Sequence, residues 1–364
     1  MIIKSLNIVN FKNISDIQLK FCAGVNCFVG KNGAGKTNIM DAIYYLSMCK
    51  SYFNVSDVQN IKHKESYFIL NGKYDIDEEV VDIYCGVKKG NKKMFKKNDK
   101  QYAKLSEHIG FIPLVVVSPE DSTLIIGGSL ERRKFIDGMI SQYDSSYLNS
   151  IIRYNRALMQ RNSLLKSNSG KNLKREDVEI WDEQLGITGK YIMQARSEFV
   201  EKFKPLFQKY YNNISGLEER VNVEYKPSVE DGNLFLSLTD NFERDRILTY
   251  TSKGIQRDDI TLYLGDYAVR KVASQGQKKS FLIAMKFAQF SMLRRINGDT
   301  PILLLDDIFD KLDKNRVNNI IDIVGSDIFS QIFISDTNRE HIDDILVSKK
   351  MEYSLININD GNLI

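Results

Sequence analysis

Residues Gly30-Lys31-Asn32-Gly33-Ala34-Gly35-Lys36-Thr37 constrain this chain more than any other stretch. They have the form Gly-x-x-x-x-Gly-Lys-Thr, after the apolar run Val25 to Val29 and before Ile39, Met40, Ile43, Tyr44 and Leu46 at helical spacing. Strand, glycine-rich turn and helix in that order make a phosphate-binding loop. The glycines let successive amides curl around an anion, and the helix start adds positive potential. Lys36 is placed to reach β- and γ-phosphates, and the Thr37 hydroxyl to ligate Mg²⁺. Gly30, Lys31, Asn32, Gly33, Ala34, Gly35, Lys36, Thr37 and Asn38 are thus the expected contacts to ATP.

Two further patterns belong to the same chemistry. Ile302-Leu303-Leu304-Leu305 runs into Asp306-Asp307, the pattern of a buried parallel strand emptying into a nucleotide crevice. Asp306 is the expected second Mg²⁺ ligand, and Asp307 the group that polarises the attacking water, with Lys36 stabilising the transferred phosphoryl group. Ser274-Gln275-Gly276-Gln277 opens a helix. A hydroxyl, exposed amides and a helix dipole form a second anion site there, through Ser274, Gly276 and Gln277. One nucleotide already has its phosphates in the first loop, so the second site makes sense as a cap on the γ-phosphate of ATP held by another copy. That is the signature-motif logic of ABC-type ATPases. A plain helix cap is the alternative. The segment Ile308-Phe309-Asp310-Lys311-Leu312-Asp313 resembles the D-loop of such heads, and Ser335, Asp336 and Thr337 stand where many of them place a γ-phosphate-sensing histidine. Without that histidine, slower or differently timed hydrolysis is expected.

The rest of the chain divides accordingly. Strands are expected over residues 1–29 and 67–97 and at Pro113 to Val117, with a turn at Lys89-Gly90-Asn91. From Ser129 to Tyr211 the apolar positions recur every three or four residues, predicting two antiparallel helices of roughly 30 residues, about 45 Å each, around a polar turn at residues 167–172. Gly186, Gly189 and Pro205 predict a kink or break in the second. Val221 to Tyr225 and Leu234-Phe235-Leu236 read as β-like. The expected architecture is an α/β, ABC-type ATPase head with a mixed sheet and flanking helices, interrupted by a helical arm: ATPase lobe over 1–125, arm over 126–245, ATPase lobe again over 246–364.

Composition narrows the remaining classes. No apolar run reaches the ~18 residues a membrane span needs, so no membrane association is expected. The four cysteines lack Cys-x-x-Cys spacing and the three histidines are scattered, which argues against a Cys/His metal site and points to a reducing, cytoplasmic compartment. The net charge of +4 is too mild to argue for nucleic acid by itself. Lys88, Lys89, Lys92, Lys93, Lys96, Lys97, Lys100 and Lys104 do cluster, around a hairpin with little acid nearby. They read either as phosphate contacts or as lysines protecting an edge strand. Lys166, Lys171, Lys174 and Arg175 at the arm tip read as a charged turn.

Taken with the short arm, these motifs resemble the RecF family of bacterial recombination mediators, in the SMC-like branch of ABC ATPases, over essentially the whole chain. The resemblance rests further on Leu6-x-Ile8-x-Asn10-Phe11-Lys12-Asn13, Asn38 to Ile43, Ser118-Pro119-Glu120-Asp121, Gly127-Gly128-Ser129-Leu130-Glu131-Arg132-Arg133-Lys134-Phe135-Ile136-Asp137 and Gly254-Ile255-Gln256-Arg257-Asp258-Asp259. The chain departs from the family's usual residues at Asp41, Asn54, Ser129, Ile255 and Gln256. The resemblance implies an ATP-gated homodimer that binds double-stranded DNA near single-strand gaps, works with a RecR-type partner, and releases DNA by slow hydrolysis. The alternatives are a DNA clamp that hardly turns ATP over and a divergent SMC-like paralogue with another partner. A membrane-transporter subunit is disfavoured by the inserted arm, and a long-armed or zinc-hook ATPase by the missing coiled coil and Cys-x-x-Cys apex.

Overall fold

The computed structural model describes residues 1–167, 173–216, 218–229, 232–309, 312–326, 328–336 and 352–364. The arm-tip turn with Lys171, the D-loop residues Asp310 and Lys311, and Thr337 lie outside them.

In chain order, β1 (Ile2–Phe11), β2 (Ile14–Lys20) and β3 (Val25–Val29) lead into α1 (Lys36–Met48); β4 (Tyr67–Ile76), β5 (Glu79–Lys88), β6 (Met94–Lys97), β7 (Lys100–Gln101) and β8 (Leu114–Val117) follow. Next come α2 (Thr123–Ile126), α3 (Ser129–Ile140), α4 (Ser145–Ser167), α5 (Glu176–Ser215), β9 (Val221–Lys226), α6 (Leu234–Asp240), α7 (Phe242–Leu248), β10 (Asp259–Leu264), β11 (Tyr267–Ala268) and α8 (Val269–Val272). The chain closes with α9 (Gln275–Asn297), β12 (Ile302–Asp306), α10 (Lys314–Val324), β13 (Ile332–Asp336), β14 (Tyr353–Asn359) and β15 (Asn362–Leu363).

The chain forms two compact units. The first is built from Met1–Ser122, Lys209–Glu218 and Ser274–Ile364, the second from Thr123–Gln208 and Glu219–Ala273. The first unit holds two six-stranded sheets. One is antiparallel, in the order β2-β1-β4-β5-β6-β7. The other runs β15-β14-β3-β13-β12-β8, parallel from β14 to β8 with β15 antiparallel at one edge. Strands β12 and β13 are buried at every position, as a sheet covered on both faces requires. Helix α1 contacts strands of both sheets and is buried on nearly every side, so Ile39, Ile43 and Leu46 join Leu6, Phe68, Leu304 and Phe333 in one core. Helix α9 is buried from Ser280 to Leu293 and packs on β8.

The second unit departs from the expected arm. Segment 246–273, expected in the ATPase lobe, belongs here, because β10 pairs with β9 and its first residue, Asp259, receives the Arg132 guanidinium at 2.9 Å. The first long helix is instead two, α3 and α4. The chain turns between them, where Asp144 Oδ1 accepts Tyr147 N at 2.8 Å. Helix α5 runs without a break through Gly186, Gly189 and Pro205. Both glycines leave room for close approach: a Cβ at Gly189 would strike Leu234 and one at Gly186 would meet Phe235. Leu234-Phe235-Leu236 is the start of helix α6 rather than a strand, because Asn233 Oδ1 accepts Leu236 N at 3.1 Å and caps it.

Two buried charge networks hold this unit together. Arg161 donates from Nε to Asp182 (2.5 Å) and from Nη1 to Asp245 (2.7 Å) and the Thr251 hydroxyl (2.9 Å). Arg196 donates to both oxygens of Asp137 at 3.0 Å, to Asp258 Oδ2 at 2.9 Å and to the Ile255 carbonyl. Tyr225 donates to Asp258 as well, and Arg133 Nη1 donates to its carbonyl at 2.6 Å. The Glu-Arg-Arg-x-Phe-x-Asp and Arg-Asp-Asp stretches are thus the two halves of one lock.

Candidate nucleotide site

The site lies entirely in the first unit, at the carboxyl ends of β3, β12 and β13. Strand β3 delivers the chain to Gly30, where a Cβ would collide with the Ile358 carbonyl of β14. Gly33 and Gly35 have φ of 80° and 111°, the left-handed region that glycine enters without cost. Gly35 then starts α1 with its first amides free.

Lys36 is 7% exposed and folds back over the loop, its Nζ donating to the carbonyls of Gly30 (2.6 Å) and Lys31 (3.0 Å). Burial lowers its ammonium pKa, while Asp306, Asp307 and Asp336 pull it back up. Opposite, Asp306 Oδ1 accepts the Thr37 hydroxyl at 3.0 Å and the Ser335 hydroxyl at 2.5 Å. Burial pushes the Asp306 carboxyl up, and these hydroxyl bonds offset part of that push. Asp307 follows with φ of 49°, its amide donating to Ser335 and its side chain exposed. Asn32, Gly33, Gly35, Lys36, Thr37 and Asn38 line the cleft on one side, and Asp306, Asp307, Ser335 and Asp336 on the other. The first two sequence patterns are therefore brought together.

The third is placed apart from them: Ser274, Gly276 and Gln277 do not line this cleft. Ser274 caps α9 in a reciprocal box, its Oγ accepting Gln277 N at 3.2 Å while its own amide donates to Gln277 Oε1 at 2.9 Å. The Gln277 side chain is thereby engaged locally.

Asn13, the last residue of the Leu6-x-Ile8-x-Asn10-Phe11-Lys12-Asn13 stretch, is a brace of the loop that was not among the expected site residues. Its side chain donates to the Gly33 carbonyl (3.2 Å) and accepts from Asn38 Nδ2 (2.7 Å), and its oxygen would lie 3.1 Å from a Cβ at Gly35. The signal was its place in a tight turn, where Asn bonds nearby backbone readily.

The lysine cluster divides. Lys93 is withdrawn from any ligand surface: its Nζ is 2.8 Å from Asp57 Oδ2, donates to Tyr45 and the Cys49 carbonyl, and sits over the Tyr45 ring. Its exposure is cut to 14% for the same reason. Lys97 and Lys96 lie over the rings of Phe111 and Tyr84 and are half-buried. Lys88, Lys89, Lys92, Lys100 and Lys104 are exposed.

A phosphate loop facing paired aspartates on a buried parallel sheet, with a capped helix start at Ser274 in the same unit, fits the head of an SMC-like ABC-type ATPase. The family model described as "RecF/RecN/SMC N terminal domain" matches residues 2–354. A "DNA replication and repair protein RecF" from Phocaeicola vulgatus is 48% identical over 365 residues, covering 100% of this chain and 98% of the relative. Its counterpart from Flavobacterium johnsoniae is 46% identical, covering 98% of this chain and 100% of its own. A solved structure of the recombination mediator protein RecF-ATP in the RecFOR pathway superposes with a TM-score of 0.90 at 30% identity, covering 100% of this chain and 96% of that one. An Smc head, at 17% identity and a TM-score of 0.57, shares the fold. The chain belongs to the RecF family of DNA replication and repair proteins. Among the described residues no helix is long and apolar enough to cross a membrane.

Proposed function

We propose that two copies of this chain sandwich two ATP molecules, close on double-stranded DNA near single-strand gaps and junctions, and open again on slow, DNA-stimulated hydrolysis. The observation that supports this reading is that the capped turn from Ser274 to Gln277 does not line the cleft of its own chain's phosphate loop. A phosphate held by a second copy gives that turn its ligand.

Within each cleft the residues fit a magnesium nucleotide. Asp306, Asp307 and Asp336 outnumber Lys36, so a triphosphate entering alone meets net negative charge, and a divalent cation relieves it. Thr37 and Asp306, already joined through a hydroxyl–carboxylate bond, would hold Mg²⁺, which typically takes one or two protein oxygens together with phosphate oxygens. Lys36 exchanges its loop carbonyls for phosphate oxygens and balances charge on the γ-phosphoryl group. Asp307, exposed at the cleft mouth, accepts the proton of the attacking water. Ser335 occupies the sensor position with a hydroxyl and is committed to Asp306, which favours slow turnover.

DNA contacts fall to the exposed Lys88, Lys89 and Lys92, with Lys96 and Lys97 contributing from beside their aromatic rings. No base-reading motif accompanies them, so binding is independent of sequence. The relatives' place in the RecFOR pathway supports a RecR-type partner and a cytoplasmic setting. Sedimentation velocity tests the core of the reading: ATP converts monomer to dimer in the wild type, and Lys36→Ala abolishes the shift. Ser274→Arg leaves monomeric ATP binding intact and blocks the dimer. A Ser274→Arg chain that dimerises normally with ATP would remove the sandwich.

A further inference from the structure

Arg316 stands at the start of α10, three residues after Asp313. Asp313 caps that helix through Oδ1, accepting the Arg316 amide at 3.0 Å, and holds the Arg316 side chain through Oδ2, 3.2 Å from Nε. One edge of the guanidinium is therefore fixed. The other edge reaches the signature turn, where a Cβ on Gly276 would collide with Nη1. The space a side chain would take at residue 276 is occupied by a cation. The arginine side chain is only 16% exposed, and Asp313 is its ion-pair partner among the described residues. Gly276 sits in a helical backbone with ordinary φ, so conformation does not explain its lack of a side chain.

We propose that Arg316 is a phosphate ligand of the signature site, completing it with the full positive charge that Ser274 and the α9 amides lack. This rests on the reading of Ser274 to Gln277 as the cap on ATP held by a second copy. A guanidinium held by one edge and open on the other presents two parallel N–H groups, the fork that matches phosphate oxygens. Asp313 fixes the fork in advance, so little side-chain freedom is lost on binding. Gly276 then has two duties: it leaves the amides of the α9 start uncovered, and it admits the guanidinium beside them.

The test uses the full chain, ATP and sedimentation, with hydrolysis measured in parallel. Arg316→Ala should bind ATP as a monomer with wild-type affinity but need about tenfold more ATP to dimerise, the scale of one lost bidentate phosphate contact. Arg316→Lys, which keeps the charge but not the fork, should fall between them. Gly276→Ala keeps Arg316 and displaces it, so it should impair dimerisation too. The pair Gly276→Ala with Arg316→Ala should be no worse than the weaker single variant, because both remove one contact. If Arg316→Ala and Gly276→Ala both dimerise at the wild-type ATP concentration, the role is overturned while the sandwich stands. A role confined to capping α10 predicts lowered thermal stability with the ATP dependence unmoved, and that result overturns it as well. If the wild-type chain itself stays monomeric with ATP, the sandwich fails first and this role with it.

Discussion

The nucleotide cleft and the arginine networks of the second unit are assembled from the same kinds of side chain, and they use them in opposite ways. In the networks each arginine faces two carboxylates and a hydroxyl: Arg161 with Asp182, Asp245 and Thr251, and Arg196 with Asp137, Asp258 and Tyr147, while Nη2 of Arg161 is buried without a hydrogen-bond partner. Every strong charge there is answered from within the unit. In the cleft, Lys36 bonds, among the described residues, the carbonyls of its own loop, and Asp307 is left at the surface. Backbone carbonyls are neutral acceptors that a phosphate can replace, whereas a buried carboxylate pairing would have to be broken first. Charge meant to hold a fold is closed on itself, and charge meant for a ligand is left exchangeable.

Removing a cation from a network should break the comparison most severely. Arg161→Ala leaves Asp182 and Asp245 buried without their partner and is expected to destabilise the second unit by about 3–5 kcal/mol. Chemical denaturation measures this, and ATP affinity of whatever remains folded should be unchanged.

Acid should strike a different kind of buried base. His108 lies between the Leu46 carbonyl and the Tyr102 hydroxyl, which suits a neutral ring donating from Nε2 and accepting at Nδ1. Burial holds its pKa down to about 4 against 6.5. Its folded pKa is depressed and its unfolded form takes the proton first, so its contribution is full above pH 6.5 and is lost as pH falls toward 4. The loss amounts to about 3 kcal/mol at most. Asp182 and Asp258, raised by burial, shift the opposite way. Urea titrations at pH 7 and pH 4.5 should therefore differ, and His108→Gln should reduce the difference.

Asp307→Asn sharpens the contrast from the other side. The exposed carboxylate has no hydrogen-bond or ion-pair partner among the described residues, so stability should hold while single-turnover hydrolysis falls roughly 100-fold, about 2.7 kcal/mol in barrier. An unchanged rate would leave the chain as a clamp that binds ATP without turning it over.

The smallest effects separate lysines within one cluster. Lys92→Ala should lower the salt slope of DNA binding by about one and leave the melting temperature alone. Lys93→Ala should do the reverse, because Lys93 is paired with Asp57 and bonded to Tyr45 and the Cys49 carbonyl.

Much of the cleft was legible because its parts are local. The phosphate loop and the aspartate pair after Leu305 each occupy a few consecutive residues, and the cap at Ser274, outside the cleft, was legible for the same reason. The parallel core was legible in the unbroken apolar run of β12. What was not legible depends on contacts distant in sequence. Asn13 reads only as the end of a family stretch until Gly33 and Asn38 lie beside it. Lys93 looks like its neighbours until Asp57 and Tyr45 meet it. Leu234-Phe235-Leu236 has strand-like residues, but one asparagine cap turns it into a helix that fits the glycines of α5. The Arg-Asp-Asp stretch served as a family marker, and only the pairing of β9 with β10 shows that it closes the second unit.

Strand β3, which carries the phosphate loop, pairs on one side with β13 and on the other with β14, and Gly361 after β14 donates its amide to Ala34 at 2.8 Å. Lys36, Asn38 and Asn13 brace the loop from nearby in sequence, but both strands that flank β3 are synthesised hundreds of residues after it. A chain emerging from the ribosome therefore carries its glycine-rich segment early and leaves β3 without these two partners until residues 353–361 have arrived. A fully paired β3 thus reports that synthesis has run to β14.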